Sequence, residues 1–268
     1  MIGFPPCKIN LGLRVVRKRD DGYHDIETCF YPLPFTDVLE VVPADVFRFH
    51  QSGLSLPGSA DDNLCVKAYR LLKQRYHLPH VAIYLHKLVP PGAGLGGGSS
   101  DAAWMLRLLH RMFDLPADYR ELVSLAGQLG SDCTFFMHDR AMLGFGRGEI
   151  LEPAEVSLKG YYLILAKPNV HVSTAEAYGM ISPGPPAVPL RQILQNKPET
   201  WRSVLVNDFE NPVIRRYPVI SQLKGALYRH GALYASMTGS GSAVYGIFRT
   251  RPDTDNDLGN YVIWEGEL

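Results

Sequence analysis

The stretch Val89-Pro90-Pro91-Gly92-Ala93-Gly94-Leu95-Gly96-Gly97-Gly98-Ser99-Ser100-Asp101 holds five glycines within seven residues, followed at once by two serines. Lacking Cβ atoms, such a run curls tightly enough for several backbone N–H groups to converge. The helix expected directly after it aims its positive N-terminal end into that curl. Ser99 and Ser100 add hydroxyls within reach of a phosphate or of a phosphate-bound Mg2+. The chemistry this combination suits is the binding of a di- or triphosphate.

Other glycine-rich loops meet objections further along the chain. Gly92, Gly94 and Gly97 satisfy a bare G-x-G-x-x-G, but a dinucleotide site needs an acid at the end of a second strand about 20 residues later. That stretch here is an amphipathic segment followed by Asp114-Leu115-Pro116. A P-loop needs a lysine before its Ser/Thr, and a protein-kinase loop needs H-R-D and D-F-G downstream; the chain has none of these. A turn that binds nothing would rarely need five glycines, because each costs backbone entropy.

Four further places carry side chains able to do chemistry. Lys8 and Asn10 share one face of Cys7 to Val16, where Ile9, Leu11, Leu13 and Val15 alternate with Lys8, Asn10, Gly12 and Arg14. Tyr23-His24 follows the turn Asp20-Asp21-Gly22, Asp132 follows Gly130-Ser131, and Thr238-Gly239-Ser240-Gly241-Ser242 forms a second glycine-rich loop. Taken alone, each has a plain reading. Lysine snorkels on a strand, Tyr-His is a turn exit, the aspartate caps a helix, and the glycines make a tight turn.

The elements that must position these residues are legible in outline. Cys7–Val16 reads as a strand, and Glu27–Tyr31 and Val38–Val42 as short strands with Pro32 and Pro34 keeping the region between them irregular. Asp61-Asp62-Asn63 caps a helix with Leu64, Ala68, Tyr69 and Leu72 on its apolar face, and Val81–Leu85 is a strand. After the loop, Ala102, Met105, Leu106, Leu109, Met112 and Phe113 fall on one helical face and Arg107, His110 and Arg111 on the other. A second helix runs from about Ala117 to Leu129 and ends at Gly130. From about residue 153 the texture changes. A strand at Tyr161–Ala166 is followed by helices near Leu190–Leu194, Trp201–Val206 and Val219–His230, and by strands at Ala243–Phe248 and Tyr261–Trp264, with Thr250–Asn260 a polar surface loop. Strands and helices mix without steady alternation, which predicts an α+β fold in two domains, 1–152 and 153–268.

Composition narrows the partners. Lys plus Arg equals Asp plus Glu at 27 each in 268 residues, so no overall field draws in nucleic acid. The basic run Arg14–Arg19 reads as a solvated strand end. Cys7, Cys29, Cys65 and Cys133 are scattered without zinc-ligand spacing, as reduced buried thiols are. No signal segment and no apolar run of about 18 residues is present, which predicts a soluble, cytoplasmic protein with no membrane partner.

The glycine loop resembles the ATP-binding motif P-x-x-x-G-L-G-S/G-S-S of the GHMP kinases. Pro6-Cys7-Lys8-Ile9-Asn10-Leu11 resembles that family's first motif, and Met237-Thr238-Gly239-Ser240-Gly241-Ser242-Ala243 its third, in the family's order. Asp20-Asp21-Gly22-Tyr23-His24, Asp62-Asn63-Leu64 and Gly130-Ser131-Asp132 are similar to the branch acting in the non-mevalonate isoprenoid pathway. The resemblance implies an N-terminal ribosomal-S5-domain-2-like part, a C-terminal ferredoxin-like part, and an active site in the cleft between them. It implies ATP with Mg2+ as cofactor and a cytidine diphosphate-linked methylerythritol as acceptor, phosphorylated on its 2-hydroxyl. A monomer or weak homodimer is expected.

The resemblance also implies roles. Asp132 is the general base and Lys8 its charge partner. Pro90, Gly92, Gly94, Leu95, Gly96, Gly97, Gly98, Ser99 and Ser100 hold ATP, with Asn63 and Lys87 at its adenine and ribose. Asn10, Tyr23, His24, Tyr178, Thr238, Gly239 and Ser240 hold the acceptor, Tyr23 and Tyr178 by stacking on the base. Asn207-Asp208-Phe209-Glu210-Asn211-Pro212 is similar to a structural stretch of these kinases. Cys7 and Ser131 stand where alanine is usual, and no glutamate stands where some relatives bind Mg2+, so the metal's protein ligands stay unassigned. Another GHMP kinase and an inactive nucleotide-binding relative remain the alternatives.

Overall fold

The computed structural model describes residues 1–254 and 256–268. Asp255, inside the predicted polar loop Thr250–Asn260, lies outside the described residues.

Two compact units interleave along the chain, one of residues 1–8, 32–91 and 96–139, the other of 9–31, 92–95 and 140–268. Two long strands, β2 (Pro6–Lys18) and β3 (His24–Thr36), and the glycine loop pass from one unit into the other, whereas the sequence reading divides the chain once, at 152/153.

In the first unit, β1 (Ile2–Gly3), β4 (Val38–Pro43), β5 (Arg48–Gly53) and β6 (Val81–Lys87) form a sheet in the order β1-β4-β6-β5. Helices α1 (Leu64–Tyr76) and α2 (Gly97–Met112) pack against each other, and α2 also lies against β4. Asn63 caps α1 by accepting from the Cys65 N–H at 2.9 Å, as its residue type predicts. Helix α3 (Tyr119–Leu129) starts at Asp118, which accepts from the Glu121 N–H, and stops at Gly130; α4 (Ser131–Phe135) follows immediately.

In the second unit, β9 (Tyr162–Ala166), β10 (Tyr234–Met237), β11 (Val244–Phe248) and β12 (Val262–Glu267) make an antiparallel sheet in the order β10-β11-β9-β12. Helix α8 (Pro218–Arg229) covers it, burying Ile220, Leu223, Ala226 and Leu227 in a core with Ile164, Ala166, Val244 and Phe248. Three shorter helices, α5 (Thr174–Gly179), α6 (Leu190–Leu194) and α7 (Glu210–Arg216), lie in the connections, and α9 (Asn256–Gly259) makes one turn inside the predicted loop.

Two expectations are corrected. Pro32 and Pro34 do not interrupt β3, which runs on to Thr36. Its neighbour β7 (Met142–Phe145), itself paired with β8 (Ile150–Pro153), meets β3 only at Thr28–Phe30, so the prolines follow the last rung of that ladder. Trp201–Val206 is a chain of turns rather than a helix, fixed by the Trp201 indole donating to the Asn196 carbonyl at 2.9 Å.

Candidate active site

Helix α2 begins at the glycine loop. Its cap, Gly96, is left-handed at φ 71°, and a Cβ there would lie 2.9 Å from the Phe136 ring and 3.2 Å from Cε of Lys8. The absent side chain lets the lysine stem pass under the start of the helix. Lys8 is 3% exposed, and its Nζ stands 3.8 Å from Oδ2 of Asp132, whose side chain is 36% exposed. Burial lowers the Lys8 pKa from its ordinary value, and the Asp132 charge opposes that shift. Asp132 sits in the first turn of α4, so its carboxylate also faces the positive end of that short helix. The pair is a half-exposed carboxylate, able to accept a proton, backed by a buried ammonium.

At its other end the loop is locked by backbone. Gly94 has φ 79°, and a Cβ there would meet the Thr238 carbonyl oxygen at 2.1 Å. Asn10 ties the same place together. Its Nδ2 donates to Thr28 Oγ1 at 2.8 Å, and its Oδ1 accepts from the Gly239 N–H at 3.0 Å and from Thr238 Oγ1 at 3.2 Å. Asn207, from the stretch read as structural, donates to the carbonyls of Met237 and Gly239, both at 2.8 Å.

The turn before β3 presents the aromatics. Asp21 accepts from the Tyr23 N–H at 3.1 Å, and Arg19 bridges to both Asp21 and Asp25. Tyr23 is 57% exposed, with the Arg147 guanidinium 4.9 Å over its ring. His24 stacks on Tyr178, centroids 4.6 Å apart and planes at 18°, and Tyr178 rests edge-on against Phe209.

Residues 63–140 match the GHMP kinases N terminal domain, and residues 190–259 the GHMP kinases C terminal. A 4-diphosphocytidyl-2-C-methyl-D-erythritol kinase of Cytophaga hutchinsonii is 48% identical over 95% of this chain and 94% of its own. The chain belongs to this branch of the GHMP kinases. A kinase of the same name from Parabacteroides distasonis is 47% identical over the whole of both chains. The crystal structure of a 4-(cytidine 5'-diphospho)-2C-methyl-D-erythritol kinase superposes with a TM-score of 0.80 at 33% identity, over 92% of this chain and 90% of that one. A Streptococcus pneumoniae phosphomevalonate kinase, at 14% identity and a TM-score of 0.70 over the whole of both chains, shares the fold alone. The membership makes this chain a small-molecule kinase of α+β fold.

The fold brings several of the residues picked from sequence together. Lys8 and Asp132 meet, Gly96 and Gly97 open α2, and His24 and Tyr178 are neighbours. Others turn inward. Lys87, expected at the adenine and ribose, is 1% exposed; its ammonium donates to Asp37 and, at 2.7 Å, to Asp101 beneath the first turn of α2. It braces the helix instead of facing a nucleotide. Ser100 is fully buried, and its Oγ has no hydrogen-bond partner among the described residues, so its hydroxyl is not offered at the loop surface. Asn10 and Thr238, expected to contact the acceptor, spend their polar atoms on each other and on the loops. Tyr178, expected to supply a second stacking face for the base, lies with its ring against His24.

Sequence reasoning passed over Asp37 and Asp101, the partners of Lys87, and Thr28, the partner of Asn10. Asp101 carried a signal, since it closes the glycine motif; Asp37 and Thr28 carried none. Pro90 and Ser99 are half-buried, Gly98 is exposed, and Leu95 is buried. Ser240 Oγ lies 3.3 Å from Thr174 Oγ1. No group of three metal-ligating side chains occurs among the described residues, and no helix of theirs is long and apolar enough to cross a membrane.

Proposed function

We propose that this kinase transfers the γ-phosphate of ATP to the 2-hydroxyl of 4-diphosphocytidyl-2-C-methyl-D-erythritol, with Asp132 as general base. The observation that carries the reading is the 3.8 Å pairing of buried Lys8 with half-exposed Asp132, the lysine stem lying against Gly96 at the start of α2. Asp132 accepts the hydroxyl proton as oxygen attacks phosphorus, and Lys8 offsets the negative charge that gathers there. Phosphoryl transfer asks mainly for positioning and charge neutralisation, which amides, one lysine and one carboxylate can supply.

The triphosphate belongs at the amides of Gly96–Ser99, where the helix dipole and left-handed glycine suit an anion. Asn63 Oδ1 is committed to its cap, which leaves its amide N–H groups for the adenine. Mg2+ would enter as the ATP complex, with Ser99 at the loop the side chain that would lie nearest to hold it. When bound, it neutralises charge on the transferred phosphoryl group. Tyr23 and His24 serve the cytosine, Tyr23 by its exposed face. A cytoplasmic protein, monomeric or weakly dimeric, with an N-terminal GHMP kinase domain of 1–152 and a C-terminal one of 153–268, suits this reading.

A panel of acceptors with ATP, read by ADP release, tests it. Turnover with the cytidylyl acceptor and none with homoserine or mevalonate is expected. Turnover of either of those, or ATP binding without acceptor-dependent ADP release, would defeat it.

A further inference from the structure

We infer that His171 is a further binding residue for the acceptor, donating from its imidazole to the cytidylyl diphosphate; this deepens the function proposed above. His171 is exposed, and among the described residues neither ring nitrogen has a hydrogen-bond partner. Its ring nevertheless has a defined place. Gly92, at φ 62°, opens the glycine loop, and a Cβ there would lie 2.8 Å from His171 Cε1 and 3.0 Å from Nδ1. The missing side chain at 92 is the space the imidazole uses.

The backbone on both sides of His171 is clamped. The Val170 carbonyl accepts from Ser242 Oγ at 2.7 Å, Val172 is 2% exposed in the core, and Thr174 Oγ1 lies 3.3 Å from Ser240 Oγ. Ser173 then caps α5, which carries Tyr178 against His24. One short segment thus leads from the mouth of the phosphate loop to the aromatic pair. A nucleoside diphosphate whose base lies at that pair and whose phosphates follow this segment meets the imidazole. The opposite end of the loop, at the start of α2, is the part suited to ATP.

A diphosphate accepts hydrogen bonds and donates none near neutral pH, whereas an imidazole holds at least one N–H in either tautomer. A hydrogen bond to a charged phosphate is among the stronger polar contacts. Solvent at this exposed site reduces its worth to about five- to tenfold in affinity.

His171→Ala and His171→Gln, compared with the unaltered chain, test the assignment by steady-state kinetics and by calorimetric titration with CDP and with cytidine. In His171→Ala, KM for the cytidylyl acceptor should rise about five- to tenfold while KM for ATP stays within about twofold. CDP affinity should fall by the same factor with cytidine affinity unchanged, and His171→Gln, which keeps an N–H donor, should recover part of the loss. An unaltered acceptor KM, a rise in the ATP KM instead, or an equal fall for CDP and cytidine overturns the assignment alone. Failure of the unaltered chain to turn over the cytidylyl acceptor overturns the proposed function, and this inference with it.

Discussion

Lys8 and Asp132 lie 124 positions apart in sequence and 3.8 Å apart in space, the lysine side chain 4% exposed and the aspartate side chain 36%. The asymmetry has a chemical meaning. A buried ammonium costs free energy unless a negative charge stands near it, and the carboxylate that supplies the charge remains open to a proton from outside.

Asp132→Asn removes the proton acceptor and keeps the side-chain shape. The turnover number should fall by about a hundredfold to ten-thousandfold, with ATP affinity near normal. Rapid-quench turnover and ATP titration check this, and a comparable loss in both would place Asp132 in nucleotide binding.

The Lys87 cluster predicts a pH dependence of stability. Burial pushes the Asp101 carboxyl up to about 7, with the Lys87 charge opposing and the Asp37 charge adding. A raised pKa means the folded chain holds a proton that the unfolded chain releases above its ordinary value of 3.8. The stability from Asp101 is therefore complete below pH 3.8 and is lost as pH rises through about 7. Urea unfolding between pH 5 and 8 should show that decline, and Asp101→Asn should flatten it. An identical slope in both proteins rejects the argument.

Lys87→Met leaves Asp37 and Asp101 buried without their shared cation. The chain should lose about 3 to 5 kcal/mol of stability, read from denaturant midpoints. A loss confined to ATP affinity, at unchanged stability, would return Lys87 to the nucleotide pocket.

Two glycines with similar backbones separate strain from packing. Gly22 has φ 84° and open space around it, while Gly94 has φ 79° and the Thr238 carbonyl oxygen 2.1 Å from where a Cβ would stand. Gly22→Ala should cost about 1 kcal/mol. Gly94→Ala must also push two backbones apart, and should lower the thermal midpoint well beyond Gly22→Ala and weaken ATP binding. Equal costs would refute the close approach.

His24→Ala removes the ring stacked on Tyr178. The acceptor KM should rise about tenfold or more, as stacking and one hydrogen bond are lost together, against little change for ATP. Equal weakening of both ligands refutes a base-specific role.

The chain alone determined whatever depends on neighbours in sequence. Five glycines before an amphipathic run specify a curled loop and a helix, Asn63 and Gly130 mark helix ends, and alternation from Cys7 to Val16 puts Lys8 and Asn10 on one strand face. Tertiary structure decided which polar atoms remain for ligands. Asn10 is consumed by Thr28, Thr238 and Gly239, Lys87 by Asp37 and Asp101, and only folding set His171 against Gly92. The physical reason is that a polar side chain must satisfy its hydrogen bonds wherever burial leaves it. Periodicity tells which face a residue occupies, but not whether the partner 228 positions away on that face will be a ligand or a threonine.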